Sequence, residues 1–122
     1  QGETMVHHKR LLLLILVIGT IMACGPDTIF LRPALDTPQQ HVKNGHSLLS
    51  RGKIDAAQAE FARAKALDVD YAPAYVGIAL VQAHQGDVDA GLTTLDRAKS
   101  LAATVEQRQE VERCFEQLKS MQ

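Results

Sequence analysis

The chain repeats itself. Laying His41 to Asp68 over Tyr75 to Ala102, a shift of 34 residues, gives eight identities in 28 pairs: Val42/Val76, Gly52/Gly86, Asp55/Asp89, Ala56/Ala90, Arg63/Arg97, Ala64/Ala98, Lys65/Lys99 and Leu67/Leu101. Other apolar positions keep their size class, as in Ile54/Val88, Ala57/Gly91 and Phe61/Leu95. Two stretches that share apolar positions, turn residues and length can be buried by one packing solution, stacked copies of a single unit. Within each copy the apolar spacing is helical and is interrupted once, at Gly52 or Gly86, so the unit reads as helix, turn, helix.

Local signals set the boundaries. Thr37-Pro38-Gln39-Gln40 offers a hydroxyl at the N-cap, Pro where its missing N–H costs nothing, and a Gln able to reach back, the pattern of a capping box. Thr104-Val105-Glu106-Gln107 repeats that pattern and opens a stretch in which Val111, Cys114, Phe115 and Leu118 follow i, i+3, i+4, i+7. These four stand 36 residues after Tyr75, Ile78, Ala79 and Gln82, so the last helix corresponds to the first helix of a further unit, displaced by two residues. Its other face, with Glu106, Arg108, Glu110, Glu112, Arg113, Glu116 and Lys119, is charged, which suits a terminal cap. Helices are predicted near 38–50, 54–67, 72–84, 88–101 and 105–120. Asp55, Asp87 and Asp89 follow the turn glycines, where they oppose the partial positive charge of a helix N-terminus.

A 34-residue helix-turn-helix period resembles the tetratricopeptide repeat (TPR) family. Tyr75 stands where that family has an early aromatic, Ile78-Ala79 at its large-small pair, and Gly52 and Gly86 at its inter-helix turn. Ala57 and Gly91 occupy the small positions of close helix approach, Phe61 and Leu95 the bulky place, and Ala64 and Ala98 the small residues one turn later. The first unit departs from the pattern with His41, Asn44 and Gly45, and Val69 replaces the usual junction proline. The expected fold is all-α: a short α-solenoid of two TPR hairpins plus a C-terminal capping helix over residues 37–120. The departures at His41 and Gly45 predict an underpacked first helix, to be completed by another protein, a second copy of the chain, or Ile29, Phe30 and Leu31.

Ahead of this domain, Leu11 to Ala23 is an apolar run preceded by His7, His8, Lys9 and Arg10, with no charge between Arg10 and Asp27. The run is shorter than the roughly 20 residues that span a bilayer as a helix and matches the apolar region of a secretory signal. Ile21-Met22-Ala23-Cys24 resembles the bacterial lipobox. That resemblance implies a signal peptide at 1–23, acylation of Cys24, a linker at 24–36, and a periplasm-facing protein attached to a membrane, with Gly25 after the cysteine favouring the outer one. Stable attachment takes more than one acyl chain. An uncleaved anchor at residues 11–23, making the chain an accessory subunit of a membrane complex, is the alternative.

Composition excludes several functions. With 13 Lys plus Arg against 14 Asp plus Glu, the formal net charge is −1, which lacks the basic footprint of a nucleic-acid binder. Cys114 on an apolar stripe reads as a small core residue. His41 and His46 are five apart, about 140° around a helix, unlike the i, i+4 pairs that share a metal. No catalytic arrangement, metal site or cofactor motif is legible, so an enzyme is not expected. Because the first helix of each TPR unit lines the groove, the family resemblance predicts a partner-binding surface of Gln39, Val42, Lys43, His46, Leu49, Ser50, Pro73, Val76, Gly77, Leu80, Ala83 and His84. Val42, His46, Pro73 and Gly77 stand where carboxylate-clamping members carry Lys and Asn, which predicts against that recognition. A helix or extended apolar segment of another envelope protein suits such a groove better. The expected role is a lipid-anchored adaptor in assembly of a pilus, secretion or other envelope complex.

Overall fold

The structure, a computed structural model, describes residues 35–122. The expectations for the apolar run, for Cys24 and for most of the linker lie outside the described residues. Among those described there are five helices and no strand: α1 Pro38–Leu49, α2 Ile54–Leu67, α3 Ala72–His84, α4 Val88–Leu101 and α5 Val105–Lys119.

Three of the five helix starts carry a side-chain cap. Thr37 Oγ1 accepts from the Gln40 N–H at 3.2 Å, and Pro38 opens α1. The expected reciprocal half of this capping box does not form, because the Gln40 side chain turns forward and donates to Asn44 Oδ1 at 2.9 Å. At α5 both halves form around Thr104 and Gln107. Asp87 caps α4 by accepting from the Ala90 N–H at 3.0 Å, whereas its counterpart Lys53 gives α2 no side-chain cap.

The turns α1–α2 and α3–α4 are built alike. Gly52 and Gly86 both take positive φ, +69° and +92°, which a residue with a Cβ adopts only at a cost. The Gly52 N–H donates to Leu49 O and the Lys53 N–H to Leu48 O; the Gly86 N–H donates to Ala83 O and the Asp87 N–H to Gln82 O. Every partner in the second turn lies 34 residues after its partner in the first.

Adjacent helices pack in chain order, most extensively α1 on α2 and α3 on α4, while α1 also meets α3 and α3 also meets α5. Two apolar clusters result. One gathers Val42, Ala57, Phe61, Ala64, Ala74 and Val81; the other gathers Tyr75, Val76, Ala79, Ala83, Leu95, Ala98, Val111, Cys114 and Leu118. Since α3 feeds both clusters it is apolar around its whole circumference, as a surrounded helix must be.

Phe61 shows why the first helix is not underpacked. Its ring lies where side chains at Gly45 of α1 and Gly77 of α3 would stand: a Cβ at Gly45 would come within 2.5 Å of the ring, and one at Gly77 would also collide with it. Gly45 is therefore a seat for a fully buried aromatic rather than a packing defect. In the second unit Gly91 performs the expected close approach, since a Cβ there would meet the Ala79 carbonyl oxygen at 2.9 Å. Val111, Cys114 and Leu118 seal the far end.

Candidate functional site

The face assigned to partner binding is made by α1 and α3, and its residues divide by accessibility. Gln39, Lys43, Ser50 and His84 are exposed, and His46, Leu49 and Leu80 are half-buried. Val42, Pro73, Val76, Gly77 and Ala83 are buried. Val42 belongs to the Phe61 cluster and Val76 and Ala83 to the Leu95 cluster, while Gly77 faces α2 instead of open space. Helical periodicity identifies which residues share a face, but not which of them a neighbouring helix covers. The accessible part of this surface is accordingly more polar than the sequence implied. His46 is held edge-on to the Phe61 ring, with centroids 5.2 Å apart at 74°. A separate open concavity of about 390 Å³ is lined by Gln58, Ala62, Lys65, Ala66, Val69 and Ile78.

A polar cluster that sequence reasoning missed joins the entry of α1 to α2. His41 Nδ1 lies 2.7 Å from Glu60 Oε2, and His41 Nε2 lies 2.9 Å from Asp36 Oδ1. Arg63 donates to both oxygens of Asp36, from Nε at 3.1 Å and from Nη2 at 2.5 Å. Asn44 Nδ2 donates to Glu60 Oε2 at 3.3 Å. Hydrogen bonds from Arg63 and His41 hold the Asp36 carboxyl down at about 2. Partial burial pulls the His41 pKa down, but the hydrogen bonds to Asp36 and Glu60 together outweigh it, and the net shift is upward. His41 stands where Tyr75 stands one repeat later, and that exchange of a polar ring for an aromatic was the available signal. The two carboxylates come from different segments, so spacing alone could not bring them together.

Cys114 is 4% exposed. Burial and the nearby Glu110 push its thiol up to about 11, far from the thiolate that nucleophilic or redox chemistry needs. Among the described residues no group of three His, Cys, Asp or Glu side chains could hold a metal ion, and no helix is long and apolar enough to cross a membrane. No protein-family model matches the chain, and no curated protein matches it. The repeat reading therefore rests on the chain's own self-similarity and on its geometry.

Proposed function

We propose that the chain is a non-enzymatic adaptor of the TPR type, attached to a bacterial envelope membrane by lipid on Cys24, whose α1 and α3 face holds a segment of another envelope protein. The observation that carries this reading is the pair of turns at Gly52 and Gly86, 34 residues apart and joined by the same hydrogen bonds. Packing that runs between chain neighbours, with α5 laying its apolar stripe on α3 and α4, is consistent with stacked repeats closed by a cap. Gln39, Lys43, His46, Leu49, Ser50, Leu80 and His84 form the reachable part of the docking face, mixing apolar surface with polar ends in the manner of interfaces that grip a peptide. The sequence Ile21-Met22-Ala23-Cys24 supports the anchor.

Two measurements test this. Intact-mass analysis of the protein from native membranes should find residues 1–23 absent and three acyl chains on Cys24; an intact Met5 would instead favour the uncleaved anchor and the accessory-subunit role. Photo-crosslinkers placed singly at Lys43 and His84 should trap one and the same envelope protein, while a crosslinker at Arg113 on the outer face of α5 should not. Trapping from Arg113 alone would move the docking surface to the cap.

A further inference from the structure

Both ring nitrogens of His41 face carboxylate oxygens, Nδ1 toward Glu60 and Nε2 toward Asp36. An ionised carboxylate only accepts, and a neutral imidazole has one N–H to give. The Asp36 carboxyl is held well down in its range, and the Glu60 oxygen that meets the ring already has a second donor. Asp36 takes two hydrogen bonds from the Arg63 guanidinium, and the Glu60 oxygen that meets His41 also accepts from the Asn44 amide. The arrangement is thus satisfied in full only by the imidazolium, which donates from both nitrogens.

We propose that Asp36, His41 and Glu60 form a pH-sensitive latch: the charged ring clamps the residue entering α1 to α2, and loss of its proton loosens that clamp. The proton goes to solvent, leaving a ring nitrogen whose lone pair faces a carboxylate oxygen, so one of the two links turns from attractive to repulsive. The Arg63 guanidinium keeps a hold on Asp36, so the entry segment loosens without being cast off.

Among the described residues, the charged groups facing the ring are few. The entry segment contributes Asp36, and α2 contributes Glu60, with Arg63 acting through Asp36. On its own helix the cluster includes only the uncharged Asn44, and α3, which also packs on α1, carries no Asp, Glu, Lys or Arg. Among the described residues, the one Lys or Arg paired with either acid is Arg63, which reaches only Asp36.

The direction of the response follows. The His41 pKa is raised on folding, so its contribution is complete below the ordinary value of 6.5 and is lost as pH rises through the folded value. Asp36 acts oppositely: its contribution is complete above the ordinary 3.8 and is lost as pH falls toward about 2. The latch is tightest between these ordinary values. It operates whatever docks on the α1 and α3 face.

The test is a nuclear magnetic resonance titration of the full chain in detergent from pH 5 to 9. The His41 ring should titrate at a higher pH than the same histidine in an unstructured peptide. The Asp36 and Thr37 amide shifts should follow with the same midpoint, and first-turn amide exchange, corrected for its intrinsic pH dependence, should rise severalfold above it. Asp36→Asn and Glu60→Gln should each lower the His41 midpoint, and His41→Gln should remove the pH step at Asp36. A His41 midpoint at or below the peptide value, or an Asp36 amide unmoved through that titration, overturns the latch. The wild-type titration decides alone should a variant fail to fold.

Discussion

At the scale of single residues, Phe61 organises the first half of the molecule through two positions that lack side chains. Gly45 and Gly77 yield their Cβ space to its ring from α1 and α3. Gly77→Ala should therefore cost about 1–3 kcal/mol, the usual range for overfilling a packed site. In a Phe61→Leu background the same substitution should cost distinctly less, because the two changes share one contact, and coupling between touching residues runs at about 0.5–3 kcal/mol. Urea unfolding of the four members of this cycle measures the coupling; additive losses would mean that Gly77 is needed for something other than room. Phe61, Leu95, Ala64 and Ala98 were legible as core from the repeat, and all four are fully buried. Gly45 and Gly77 were not, since a glycine in a helical pattern does not say which neighbour uses its empty side. The His41 cluster escaped for a related reason: its meaning depends on two acids 5 and 19 residues away, brought together only by the packing of α1 on α2.

At the scale of the helix, the two units differ in how the second helix of each is capped. Lys53 and Asp87 occupy the same repeat position with nearly the same backbone, φ −88°, ψ 69° against φ −101°, ψ 71°, but only Asp87 bonds its helix. Lys53→Asp should place a carboxylate where it can accept from the Ala56 N–H and oppose the positive end of α2, a gain of about 0.5–1 kcal/mol. A rise in the urea midpoint at unchanged slope would show it, and Lys53→Ala, which adds no acceptor, should give no comparable gain. Helix boundaries were readable to within a residue or so, because turn glycines, capping threonines and Pro38 are local chemistry. The half-formed box at Thr37 marks the limit of that reading: a pattern says Gln40 can reach back, but Asn44 one turn on competes for its amide.

At the scale of the whole molecule, α3 is the shared element and α5 the piece that makes sharing sufficient. Under the proposed repeat reading, neither hairpin buries both its faces alone, and stability is close to a sum of units and nearest-neighbour interfaces. The face of α3 and α4 that carries Tyr75, Val76, Ala79, Leu95 and Ala98 is covered among the described residues by Val111, Cys114 and Leu118. Burying a side chain such as Val111 or Leu118 is worth about 1.5–3 kcal/mol, so the α5 interface supplies a large share of the 5–15 kcal/mol on which a small domain stands. Ending the chain after Ala103 should thus do more than remove one helix. Circular dichroism should lose more helical signal than the 15 residues of α5 account for, because α3 and α4 fray with it. Leu118→Ala, which leaves the helix but hollows its contact, should lower stability by about 2–5 kcal/mol without that loss. A truncated chain that keeps its remaining helicity and its thermal midpoint would mean that α3 and α4 hold themselves together, and that α5 is an ornament on a unit already complete.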